Sequence, residues 1–177
     1  MRNQYDERDV GQMIESLASK IAGAFRADQP LSLIGIRTRG EILADRLTAL
    51  LRQRNFAQIG RGVLDITLYR DDLSEIGPRP MVRPTHIDID INARPLLLVD
   101  DVLFTGRSIR SALDALTDFG RPSAIRLAVL VDRGGRELPI QPDYVALTLP
   151  DVPREHRVNV RLKEKDGADE IVVEPKS

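Results

Sequence analysis

Leu96-Leu97-Leu98-Val99-Asp100-Asp101-Val102-Leu103-Phe104-Thr105-Gly106-Arg107-Ser108 is the stretch whose reading decides the fold. The unbroken apolar run 96–99 reads as a strand buried on both faces, the mark of a parallel sheet covered by helices. It delivers two acids to its carboxyl end, where open α/β sheets place their ligands. Thr105, Gly106, Arg107 and Ser108 then turn the chain into a helix whose apolar positions Ile109, Leu113 and Leu116 share one face. Exposed amides at that helix start, and the positive end of its dipole, suit a phosphate. Carboxylates beside such a cradle suit a phosphorylated ribose, since they accept hydrogen bonds from vicinal hydroxyls and help hold Mg2+.

The pattern continues outward. Val10, Ile14, Leu17, Ile21 and Phe25 recur at helical spacing and predict a first helix ending near Asp28-Gln29-Pro30. Residues 31–36 read as a strand and 41–55 as a helix through Ile42, Leu43, Leu47 and Leu50. Further strands are expected at 63–69, 96–102, 124–131 and 144–149. Strands alternating with helices imply an α/β fold with a doubly wound, mainly parallel sheet. Two stretches break the alternation. Residues 70–95 lack a helical period, carry Pro78, Pro80, Pro84 and Pro95, and alternate like a strand only over 86–91, so they read as a long mobile loop. Near the C-terminus, 158–162 and 171–173 flank Asp166-Gly167 and predict a hairpin that adds to a small hood. The whole chain, 1–177, reads as one domain, with its core at about 31–150 and the hood built from the N-terminal segment and 151–177.

Composition narrows the classes. With 42% hydrophobic and 30% charged residues the chain can bury a substantial core. The absence of cysteine excludes disulfides and thiolate metal sites, and makes an intracellular location the default expectation. No apolar run approaches the roughly 20 residues of a membrane span, and the first nine residues are too polar for a signal peptide, so a cytoplasmic protein without a membrane partner is expected. A net charge of -1 argues against whole-surface attraction to nucleic acid while allowing a local basic patch. His86 and His156 have no ligand-spaced companions and read as surface residues, and Lys163-Glu164-Lys165-Asp166 reads as a solvated hairpin tip.

The central stretch resembles the signature of the type I phosphoribosyltransferases, which bind 5-phosphoribosyl pyrophosphate (PRPP). Gly35-Ile36-Arg37-Thr38-Arg39-Gly40, Asp65-Ile66-Thr67-Leu68-Tyr69-Arg70-Asp71-Asp72-Leu73 and Leu130-Val131-Asp132-Arg133-Gly134-Gly135-Arg136-Glu137-Leu138-Pro139-Ile140 look like the PyrR subfamily, in the same order. That resemblance implies uracil phosphoribosyltransferase activity, converting PRPP and uracil to UMP and pyrophosphate, together with pyrimidine-operon regulation through UMP- or UTP-dependent mRNA binding. It implies that PRPP is bound by Arg37, Thr38, Arg39 and Gly40, by Val99, Asp100, Asp101, Val102, Leu103 and Phe104, and by Thr105, Gly106, Arg107 and Ser108. Asp100 and Asp101 would grip the ribose hydroxyls and orient Mg2+, the cofactor, and one of them would ease proton movement. Arg70 would reach the pyrophosphate from a closing lid. Main-chain groups of Val131, Asp132 and Arg133 would read the edge of the base, with Val131 or Ile140 packing on its face. Relatives often have a non-proline cis peptide in the pyrophosphate loop and form homodimers or higher assemblies.

The resemblance has departures. PyrR proteins commonly carry histidine where this chain has Gly135, and an arginine and a second histidine where it has Lys20 and Gly23, all on the RNA-facing surface. Restoring a histidine at Gly135 is therefore expected to add a stacking group for RNA. Two other readings stand beside the enzyme: an RNA-binding attenuation regulator of the pyrimidine operon with little catalysis, and a phosphoribosyltransferase for another base.

Overall fold

The computed structural model describes residues 2–67 and 84–176. The central strand is β4, Pro95–Leu103, and Leu96, Leu97, Leu98 and Val99 in it are fully buried. β2 (Leu31–Ile36) and β3 (Ile59–Leu64) lie to one side of β4, and β5 (Ala124–Asp132) and β6 (Tyr144–Thr148) to the other. The order is β3-β2-β4-β5-β6, and every neighbouring pair is parallel. From β2 the chain first adds β3 outward, then crosses back to lay β4 on the opposite edge of β2. The switch point therefore falls between β2 and β4, where a doubly wound sheet opens a crevice.

Alternation along β4 serves both faces. Leu97 and Val99 join a cluster with Val10, Leu17 and Ile21 of α1 (Glu7–Ala24) and Leu43, Leu47 and Leu51 of α2 (Arg39–Gln53). Leu96 and Leu98 join the opposite cluster with Ile109, Ala112 and Leu116 of α3 (Arg107–Leu116). A second, antiparallel sheet has the order β1-β8-β7, from β1 (Gln4–Tyr5), β7 (His156–Arg161) and β8 (Glu170–Pro175). Its Tyr5, Val158, Val160 and Ile171 pack into the α1–α2 cluster, so the N-terminal and C-terminal segments close over the same face. No helix among the described residues is long and apolar enough to cross a membrane.

Several elements differ from expectation, β3 beginning at Ile59 instead of 63 and the C-terminal hairpin strands starting earlier. β3 ends at Leu64 instead of 69, because its ladder follows β2 from Leu31↔Ile59 to Ile36↔Leu64 and stops where β2 stops. Residues 86–91 form no strand: only His86 bridges Val63, and the alternation arises because Ile87 and Ile89 pack against the α3-side cluster. Helix α2 begins at Arg39, inside the loop read as Arg37 to Gly40. The charged hairpin tip is α4 (Lys163–Asp166), a single turn whose acids are not simply solvated. Residues 68–83, with Arg70 and most of the expected lid, lie outside the described residues.

Candidate active site

Three parallel strands end on one cleft of about 390 Å3, lined by Ile36, Arg37 and Thr38 after β2, Asp65, Ile66 and Thr67 after β3, Asp100, Asp101 and Val102 of β4, and Ser108 of α3. A smaller hollow of about 120 Å3 shares Asp100, Val102 and Ser108 with it and extends along Leu103, Phe104, Thr105 and Gly106. Of the pyrophosphate-loop, acidic and phosphate-loop residues named from sequence, Arg37, Thr38, Asp100, Asp101, Val102 and Ser108 meet in the larger cleft and Leu103 to Gly106 in the smaller, whereas Arg39, Gly40 and Arg107 line neither.

Close approach at the switch point depends on two glycines. A Cβ on Gly40 would stand 2.5 Å from the Val99 carbonyl oxygen, and one on Gly35 would stand 2.5 Å from the Gly40 carbonyl oxygen. Only with hydrogen at both positions can α2 begin directly beside the end of β4. The Arg37–Thr38 peptide is cis without proline.

The helix starts divide by location. Helix α1, away from the cleft, has a full capping box in which Asp6 and Asp9 each accept from the other's backbone N–H. Helices α2 and α3 open beside the cleft from Thr38 and Gly106; the Thr38 side chain does not cap α2, and at α3 only the Arg107 N–H is met by a side chain, the Thr105 hydroxyl at 3.3 Å. Gly106 reaches φ 94°, where other residues are strained, and so turns the chain sharply into α3. Two helix ends that expose donors toward one cleft make it suited to two anionic groups.

The acids supply the opposite charge. Asp100 is only 8% exposed and Asp101 half-buried, so the pair is sunk into the site instead of standing at an open strand end. Each carboxylate accepts from the next backbone amide, Asp101 N–H at 3.0 Å and Val102 N–H at 2.9 Å. Burial, reinforced by the neighbouring Asp101 charge, pushes the Asp100 carboxyl well above its ordinary value. Burial also raises Asp101, although the positive field of Arg39 pulls against it. Such a pair favours a proton, a cation or a hydroxyl donor. The two adjacent carboxylates are a donor set suited to Mg2+, an ion that usually takes one or two carboxylates and completes its shell from water and substrate phosphates.

The arginines differ. Arg37 lines the cleft, with its buried Nε making no hydrogen bond and lying 3.8 Å from Glu41. Arg39 is turned away into a two-pronged pair with Asp166 of α4, at 3.0 and 2.9 Å. Arg107 pairs with Glu137 at 2.8 Å on the exposed side.

At the end of β5 the side chains do not offer a base reader. Val131 is fully buried in the core. Asp132 is engaged by Arg136 at 2.7 Å and by the Gly134 N–H at 2.9 Å. Arg133 is 4% exposed, stacks on the Phe104 ring at 3.9 Å, and donates to the carbonyls of His156 and Pro153. Ile140 packs against Gly106 and the α3-side cluster. What remains for a base is main chain, brought beside the site by pairing of Leu103 with Asp132 and by the Arg133 N–H to Leu103 carbonyl bond. His156, read as a surface residue, is half-buried, and its Nδ1 is enclosed. Gly135, at φ 72°, would place a Cβ 2.5 Å from the Phe104 ring, so a histidine there displaces that ring instead of simply adding a stacking group.

Sequence reasoning assigned no role to Asp65, although it is buried in the cleft wall, where its carboxylate accepts from the Thr67 N–H at 2.8 Å. The available signal was its position at a strand end within one of the quoted blocks.

Comparisons with known proteins show the family and the fold. The phosphoribosyl transferase domain family matches residues 2–161. The chain is 48% identical over 168 residues to the bifunctional protein PyrR of Elusimicrobium minutum, covering 95% of this chain and 93% of the relative. It is 51% identical over 162 residues to that of a Roseiflexus species, covering 92% and 88%. Among solved structures it is similar to a Trypanosoma cruzi hypoxanthine phosphoribosyl transferase, with a TM-score of 0.72 at 21% identity, covering 97% of this chain and 90% of the other. A Bacillus anthracis hypoxanthine-guanine phosphoribosyltransferase gives a TM-score of 0.64 at 17% identity, covering 85% and 84%.

Proposed function

Because the chain belongs to the phosphoribosyl transferase domain family and, within it, to the bifunctional PyrR proteins, we propose that it transfers the 5-phosphoribosyl group of PRPP to uracil, giving UMP and pyrophosphate. The observation that carries the reading is the cleft in which an acid pair, Asp100 buried and Asp101 half-buried, stands between the N-termini of α2 and α3. A substrate with an anion at each end and hydroxyls in the middle matches that order of charges.

In this reading the Thr105 to Ser108 turn holds the 5′-phosphate by its backbone amides. Asp100 and Asp101 accept hydrogen bonds from the ribose hydroxyls. Thr38, Arg39 and Gly40 offer amides to the pyrophosphate, and Arg37 supplies a guanidinium. Mg2+, held by the acids and the substrate, would offset pyrophosphate charge. Uracil N1 attacks the anomeric carbon as the bond to pyrophosphate breaks, with inversion. Its proton passes to solvent or to a nearby carboxylate. The transition state resembles an oxocarbenium ion, so the protein's contribution is position and electrostatics, without a nucleophile. Arg70 would approach the pyrophosphate from the segment 68–83, and backbone groups around Val131 to Arg133 would read the pyrimidine edge.

The proposal extends to a second, regulatory activity toward pyrimidine-operon leader mRNA, the second activity being inferred from the relatives' description as bifunctional, and to a homo-oligomer in the cytoplasm. A base panel tests the enzyme: purified protein, Mg2+ and PRPP with uracil, hypoxanthine, guanine, adenine or orotate. UMP from uracil alone is expected. A purine nucleotide would move the assignment to another base, and no product with any base would leave the regulator.

A further inference from the structure

We propose that Arg133 is a positioning residue for the phosphate loop, acting through the ring of Phe104 and tying that loop to the turn at 153–156. The proposal rests on the reading that residues 104–108 cradle the 5′-phosphate.

Arg133 is an expensive residue to bury. It is 4% exposed, and among the described residues no carboxylate pairs with it and its Nε has no hydrogen-bond partner. A guanidinium in that position is disfavoured unless something replaces its hydration. Three groups do so: the Phe104 ring at 3.9 Å, the His156 carbonyl at 2.9 Å and the Pro153 carbonyl at 3.2 Å. Each belongs to a different place in the chain from Arg133, which follows β5. One side chain therefore joins the carboxyl end of β5, the phosphate loop and the turn that leads into β7.

Phe104 is the member that faces the site. It lines the smaller hollow with Thr105, Gly106 and Ser108, and sits two residues before Gly106, where the loop turns into α3. Its neighbours restrict it. Gly135 approaches so closely that a Cβ would lie 2.5 Å from the ring, and the Phe104 carbonyl accepts from Arg136 at 2.9 Å. A second cation, Lys176, lies 5.7 Å from the ring centroid, and its backbone N–H donates to the Glu155 carbonyl in the same turn. Moving the ring would shift the backbone of residues 105–108, whose amides must converge on one phosphate.

The test is a double-mutant cycle with Arg133→Gln, Phe104→Leu and the double variant, plus Arg133→Lys. Hydrogen exchange of residues 104–108 is measured in the ligand-free protein, and KM for PRPP and kcat in the transfer reaction. Either single change should speed exchange in the loop and raise KM for PRPP by about tenfold, with kcat within about threefold, and the double variant should be no worse than either single one. Lysine at 133 should rescue little, because an ammonium lacks the planar fork that stacks and donates together. Phe104→Leu removes the stack without stranding a charge, so it decides the matter if the Arg133 variants unfold. Unchanged loop exchange and unchanged KM in a folded variant, or effects that simply add, would overturn the proposal. Coupled exchange in a protein that transfers no phosphoribosyl group would uphold the positioning role and refute the enzymatic reading instead.

Discussion

Asp100 illustrates how a ligand site opposes the stability of the fold that contains it. Its carboxyl is raised by burial and by Asp101, so its surroundings favour the neutral form over the charged one. For an acid raised in the folded state, stability is fully present below the unfolded value, near 4, and is lost as pH climbs toward the folded value. Asp100→Asn keeps an oxygen that can accept the Asp101 N–H but carries no charge. The variant should melt above the unmodified protein at pH 7, each kcal/mol being worth about 2–4 °C at this chain length, and the gap should close as pH falls toward about 4. Phosphoribosyl transfer should meanwhile collapse. Thermal melts at both pH values check the first part, and an Asn variant less stable at pH 7 would mean that the carboxylate has a compensating partner.

Between elements, unanticipated ion pairs join α2 to α4 and to the turn that follows it. Arg39 pairs with Asp166, and Arg46 with both Asp169 and Glu164 at 2.6 Å. The Arg39 guanidinium holds Asp166 below its ordinary value, chiefly by hydrogen bonding. A depressed acid contributes stability above the unfolded value, and that contribution is lost as pH falls below about 4. Asp166→Asn should therefore cost about 0.5–1 kcal/mol at pH 7 and less in acid, the pair being only partly buried. It should also release Arg39 toward the cleft, so pyrophosphate should inhibit the variant a few-fold more strongly. Product inhibition that does not change would make Arg39 a strut between α2 and α4 and remove its side chain from the pyrophosphate site.

At the scale of the whole molecule, charge and surface limit any RNA partner. The net charge is -1, so binding must come from a local patch. Lys20, one of the positions that depart from the family pattern, donates to the Val145 carbonyl at 2.6 Å, and Gly135 is packed against Phe104. Specific binding to a pyrimidine-operon leader should be weak, should depend on UMP or UTP, and should fall steeply with salt, because phosphate contacts would supply most of it. Gly135→His should fail to tighten it. A gel-shift titration at physiological salt measures both, and tight nucleotide-controlled binding would refute the expectation.

What the sequence by itself determined is local and periodic. Four fully buried residues in a row required a covered parallel strand, and the acids and Thr105-Gly106 that follow required a polar, anion-seeking turn at its end. The start of β2, Leu31–Ile36, was legible because Pro30 precedes a short apolar run, whereas Gly35 lies inside the strand, paired with both β3 and β4. Only the tertiary structure decided which strand neighbours β4, which glycines let α2 reach it, and where long side chains go. Arg133 and Val131 stand two residues apart on one strand end, yet one spans to the Pro153 and His156 carbonyls and the other disappears into the core. Asp166 and Arg39 are 127 residues apart, and nothing in the charged run 163–166 signals its partner. Local spacing sets which face of an element is apolar. The destination of a guanidinium, or the burial of an acid, depends on groups that only the packing of distant segments brings within reach.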